Sequence, residues 1–138
     1  MSGKERLYPK EPKEFLLAQM VDDLLELTLE MCGKDEKKTL RFPKVFYDGY
    51  VSCIITSAVT IQKNVIMANE IARGETRKNM QKEAAANCVW LNHLIRVSTN
   101  KGWISEKQRD RWQRLVTSVK WSIVNWMKSD EKIHTGSS

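Results

Sequence analysis

Four cations and one indole hold the chemistry most worth weighing in this chain. Lys107, Arg111, Arg114 and Lys128 recur along one edge of a helical stretch near the C-terminus, with Asn125 and Trp121 set among them. A planar guanidinium can hold two phosphate oxygens at once, and an exposed indole can stack on an unpaired base. Arg73, Arg77, Lys78 and Lys82 form a second basic cluster, and Arg96 stands between the two. The charge balance points the same way. Residues 1–69 carry ten Lys/Arg against ten Asp/Glu, whereas residues 70–138 carry thirteen against seven, so the whole net charge of +6 lies in the second half. Such asymmetry suits an anionic partner, and nucleic acid is the commonest. The plainer reading of the same residues is a solvated helix face, with Trp121 lying beneath a protein neighbour instead of a base.

Catalysis finds less to work with. Of the two histidines, His134 lies near the C-terminus and His93 stands amid apolar neighbours. Neither belongs to a Glu-x-x-His or His-Glu-x-x-His metal motif, and no phosphate loop, nucleophile elbow or dinucleotide fingerprint occurs. Asp22 and Asp23 are adjacent, and neighbours on a helix point roughly 100° apart, so they make no paired acid site unaided. Cys32, Cys53 and Cys88 are isolated and odd in number, each inside a helical pattern. The expectation is three buried free thiols in a reducing compartment. These residues describe a chain that is not an enzyme and needs no metal or cofactor.

The elements that must position the cations are helices. Only three prolines and six glycines punctuate 138 residues, enough chain for one domain with a real core. Glu11-Pro12 opens a first helix whose inward stripe is Leu17, Val21, Leu24, Thr28 and Met31, at alternating spacings of four and three. Its outer face is acidic: Asp22, Asp23, Glu26 and Glu30. That face is either solvated or salt-bridged to something basic. After a charged loop from Lys34 to Phe42, Pro43 starts a second helix running to about Arg73, before Gly74. Phe46, Tyr50, Ile54, Ala58, Ile61 and Val65 make one stripe along it; Val51, Ile55, Val59 and Ile66 make another. So wide an apolar arc predicts several covering neighbours.

A polar turn, Glu75 to Asn79, leads to a third helix ending near Thr99, with Met80, Ala84, Cys88, Leu91 and Ile95 as its core stripe. Its far side carries Ala86, Val89, Trp90, His93 and Val97. An indole that a monomer would expose among apolar groups predicts a subunit or partner interface there. Trp103-Ile104 plugs the end of the bundle, and Ser105 with Gln108 is a capping-box signature for a fourth helix. Trp112, Val116, Val119, Ile123 and Trp126 form its seam. The expected fold is all-α, an antiparallel four-helix bundle over residues 11–128, with a flexible arm at 1–10 and a disordered tail at 129–138. No apolar run approaches the roughly 20 residues of a membrane span. With a charged N-terminus, this predicts a cytoplasmic protein without a membrane partner.

The order of these features resembles the accessory variability determinant family of diversity-generating retroelements. The resemblance runs from about Leu17 to Lys128. It rests on Leu24-Leu25-Glu26-Leu27-Thr28, on Arg41-Phe42-Pro43-Lys44, and on an Ala-rich third helix closing with Trp90-Leu91-x-x-Leu94-Ile95-Arg96. Lys101-Gly102-Trp103-Ile104-Ser105 and Val124-Asn125-Trp126-Met127 complete it. The resemblance implies a homopentameric barrel that binds a reverse transcriptase and template RNA, or an RNA/DNA hybrid. It implies support of mutagenic complementary-DNA synthesis without catalysis by this subunit. The family's recurring basic surface carries over here to Arg73, Arg77, Lys78, Arg96, Arg111 and Arg114. Four-helix-bundle proteins encoded in ribosomal-RNA intervening sequences share much of the pattern. They imply a protein-interaction module with no reverse transcriptase.

Overall fold

In the computed structural model the four apolar stripes become the inner faces of four helices. It describes residues 12–136, and side-chain surroundings for residues 16–132. Helix α1 spans Pro12–Met31, α2 Ser52–Glu70, α3 Glu75–Asn100 and α4 Glu106–Gly136. α1 packs against α2 and α4, and α3 packs against the same two, which closes a four-membered ring. Residue pairs across the seams run in opposite chain directions. Thr28 meets Trp112 (3.1 Å) and Met20 meets Ser122 (3.9 Å); Asn92 meets Gln113 (3.0 Å) and Gln81 meets Asp130 (3.0 Å); Cys32 meets Tyr47 (2.8 Å) and Asp22 meets Gln62 (2.7 Å). The bundle is antiparallel, and the described residues contain no strand, only an isolated bridge between Lys34 and Leu40.

Every member of the α1 and α4 stripes is buried, as are Ala84, Cys88, Leu91 and Ile95 on α3. Local signals also act as their chemistry requires. The Ser105 amide donates to Gln108 Oε1 (2.9 Å) while the Gln108 amide donates to Ser105 Oγ (3.1 Å), a reciprocal capping box. At the end of α3, Gly102 adopts φ +82° and its amide donates to the Thr99 carbonyl. A side chain at that position would be strained.

Four boundaries and burials differ from those the periodicity predicts. The second helix does not wind evenly from Pro43: a 3₁₀ turn, Lys44–Phe46, and a π turn, Tyr47–Val51, precede α2. Two anchored phenols hold this changed winding. The Tyr47 hydroxyl donates to the Cys32 carbonyl (2.8 Å), and the Tyr50 hydroxyl sits 2.8 Å from the Leu94 carbonyl and 2.9 Å from Ser98 Oγ. Phe46, assigned to the core stripe by spacing, is left 41% exposed by that rewinding, and Val59 and Ile66 of the second stripe are also exposed. α3 begins at Glu75, so the basic residues of the expected polar turn are helical. α4 does not stop at Lys128 but continues to Gly136, because Asp130 and Glu131 find partners on α3. The arm at residues 1–10 lies outside the described residues.

Contrary to the expectation of no such run, Lys44–Glu70 is long and apolar enough to cross a membrane by length and composition. Its Ile54, Ala58, Ile61, Val65 and Ala68 line the bundle core.

The thiols divide. Cys32 and Cys88 are buried, and burial pushes each thiol up to about 12; Cys53 is exposed, with its Sγ 3.1 Å from the Gly49 carbonyl. In the native protein only Cys53 is expected to react rapidly with a thiol reagent, the other two reacting on unfolding. Two fast thiols would refute this packing. Because the folded values are raised, the unfolded chain loses these protons first. Stability is therefore full below 9.0, the ordinary thiol value, and falls as pH rises through about 12. Cys88→Ala should flatten that alkaline slope in denaturant titrations.

Candidate nucleic-acid interface

The basic residues singled out by spacing do not form one surface. α1 carries Asp22, Asp23, Glu26 and Glu30 and no Lys or Arg between residues 16 and 32. The ring lays this acidic helix beside the basic edge of α4. Asp23, Glu26, Glu30, Arg111 and Arg114 line a single groove of about 470 Å³ between the two helices. Arg111 Nη1 lies 3.5 Å from Glu30 Oε2, with both side chains exposed. Such a pair adds little stability, on the order of 0–1 kcal/mol, but it settles the local charge. A phosphate entering this groove would meet three carboxylates beside two guanidinium groups. The basic partner of the acidic helix is α4 of the same chain.

Arg77 has a different role again. It is 7% exposed, its Nε lies 2.9 Å from Asp130 Oδ2, and its Nη2 donates to Asp130 Oδ1 (3.2 Å). Nη1 donates to the Ile71 carbonyl (3.1 Å), the guanidinium covers the Trp126 ring at 4.7 Å, and buried Gln81 donates to Asp130 as well. This arginine ties α3 to α4 and is not free to meet RNA, which corrects its assignment to the nucleic-acid-binding set. Lys78 is half-buried and pairs with Glu131 (3.1 Å).

The remaining cations are at the surface. Arg73, Lys82, Arg96, Lys107, Arg114 and Lys128 are exposed. Arg96 Nη2 donates to His93 Nδ1 (2.8 Å), and the His93 ring stacks on Trp90 at 5.7 Å and 18°. That pair sits in the predicted interface stripe of α3, which is uncovered in a single chain. Val89 is 57% and Trp90 49% exposed, Ala86 and His93 are exposed, and Val97 is half-buried. Trp121 is 51% exposed on α4, with Lys120 Nζ 4.5 Å from its ring centroid.

One assembly was not visible as a unit in the sequence. Phe42, Phe46, Tyr47, Tyr50 and Trp103 gather at the end of the bundle where the loop before α2 meets the turn before α4, with ring centroids 5.2–6.3 Å apart. The signal was there, five aromatics in two short segments flanked by lysines. The segments are about fifty residues apart and only the fold joins them. Among the described residues no three His, Cys, Asp or Glu side chains are placed to hold a metal ion. Neither the family models nor the curated proteins compared with this chain give a match.

Proposed function

We propose that this protein is a non-catalytic, oligomeric accessory subunit that binds template RNA and a reverse transcriptase in a diversity-generating retroelement, working in the cytoplasm. The observation that carries the reading is the outer face of α3. An apolar strip centred on Val89, Trp90 and His93 lies open between the exposed cations Lys82 and Arg96. A well-packed bundle gains nothing from such a strip as a monomer, and burying it between copies would array the neighbouring cations around a ring. A homopentamer is the assembly the family resemblance implies. Repeated Arg73, Lys82, Arg96 and Lys128 would then act together on a phosphate backbone, with affinity gained by multivalency.

Trp90→Glu is expected to disperse the assembly, lowering the mass in sedimentation from about five chains to the 16.0 kDa of one. An unaltered oligomer would place the interface elsewhere. RNA binding in gel shifts should fall steeply with added salt, and should weaken in Lys82→Glu with Lys128→Glu. No RNA binding at low salt sinks the reading.

The mixed-charge groove favours a second reading for one face. Asp23, Glu26 and Glu30 beside Arg111 and Arg114 suit a charged protein surface better than a phosphate backbone. That is the behaviour of an interaction module of the ribosomal-RNA intervening-sequence type. A Glu26→Lys change that abolishes protein capture while sparing RNA affinity would favour it.

A further inference from the structure

The aromatic end of the bundle carries positive charge of its own. Residues 33–48 and 101–110, which build that end, carry eight Lys/Arg against five Asp/Glu. Two of those five acids are engaged. Asp35 accepts the backbone amides of Lys37 (2.8 Å) and Thr39 (2.9 Å) within its own turn, and Asp110 pairs with Arg109 (3.0 Å). Between the loop and the turn is a cleft of about 560 Å³, lined by Asp35, Glu36, Lys37, Arg41, Gly102 and Trp103 among others. Arg41 Nε finds no acceptor among the described residues. Trp103 is half-buried and forms one wall. Phe46 lies against it at 5.2 Å and 38°, and Lys101 Nζ is 5.9 Å from the Trp103 ring centroid. The backbone holds this arrangement firmly, since Gly102 at φ +82° sets the turn and the Trp103 amide donates to the Ser98 carbonyl (3.0 Å).

We propose that this end of the bundle binds a single strand of nucleic acid, one unpaired base lying against Trp103 and Phe46 and the adjoining phosphates held by Lys37, Arg41 and Lys101. The ring pair offers a stacking surface with cations at its margin, which is how sequence-tolerant single-strand sites are made. The cleft is within the size range of small-ligand sites, large enough for a nucleotide. A duplex keeps its bases stacked on each other and cannot present one to the shelf. Asp35 and Glu36 line the same cleft and oppose the phosphates, so they limit affinity. The site needs no reverse transcriptase and no oligomer, and stands apart from the α3 and α4 surface cations.

The test is fluorescence anisotropy of the full chain with a labelled oligouridine of about 12 nucleotides, the matching oligodeoxythymidine, and a duplex of equal length. Phe46→Ala, a change at an exposed ring, is expected to weaken single-strand binding about 5- to 150-fold, the worth of one stacked base. Phe46→Tyr should retain it. Lys37→Glu with Lys101→Glu should lower affinity and flatten its salt dependence, whereas Glu36→Gln should raise affinity. Either sugar supports the site, and a preference for RNA assigns it to the template. Single-strand affinity unchanged in Phe46→Ala and in the double reversal would overturn the proposal, as would equal binding of the duplex. So would Phe46→Ala losing a captured protein while binding RNA as before. If affinity falls only in Lys82→Glu with Lys128→Glu, the RNA site is among the α3 and α4 surface cations; this proposal then fails while the accessory-subunit reading stands.

Discussion

Asp130→Ala is expected to destabilise the bundle by about 3–5 kcal/mol, the cost of leaving a buried charge without its partner. The Arg77 side chain is 8% exposed and that of Asp130 15%, and Asp130 also takes the hydrogen bond of Gln81, which is 1% exposed. Removing the carboxylate therefore takes the ion-pair partner from the guanidinium and the acceptor from the Gln81 amide together. The reverse experiment separates pairing from desolvation. Replacing Arg77 and Asp130 jointly with Met and Leu should recover most of the loss, because well-packed apolar groups often match a buried ion pair. Denaturant midpoints for the two singles and the double complete the cycle. Deleting residues 129–138 should cost as much as Asp130→Ala; a truncated chain of native stability would show that the C-terminal turns of α4 contribute nothing.

A comparable loss is expected at the seam on the other flank of α4. Trp112 is fully buried, so Trp112→Ala should cost about 3–5 kcal/mol, more if the cavity fails to collapse. Its Nε1 donates to Thr28 Oγ1, and Thr28 is itself fully buried. Thr28→Val keeps the volume but removes the acceptor, so the indole N–H is orphaned at about 1–3 kcal/mol. Trp112→Phe in the Thr28→Val background then has no N–H to orphan, and the two changes should couple. Additive losses would mean that the bond contributes nothing of its own.

These two seams also mark what could be read in advance. The stripe on each helix follows from side chains three and four apart sharing a face, a local rule, and it placed Trp112, Val116, Val119, Ile123 and Trp126 in the core. The capping box at Ser105 is equally local. The same rule misassigned Phe46, since a π turn shifts the phase of every residue before it. It also ended α4 at Lys128, because polar Ser129, Asp130 and Glu131 resemble a frayed tail until their α3 partners are known.

Local spacing was enough for the four helices, most of their buried faces and the exposed apolar strip on α3. Each depends on residues within a few turns of one another. Which charges are free depends on how the helices pack. Packing set the acidic row of α1 against Arg111 and Arg114, buried Arg77 on Asp130, laid Phe46 against Trp103, and brought Trp103 into one cleft with Arg41 and Lys37. The reason is that amphipathicity specifies which side of a helix turns inward but not which neighbour flanks its edges. Electrostatic effect depends on those neighbours within a Debye length of about 8–10 Å. A basic residue is a partner for phosphate only after the fold has shown what else it faces.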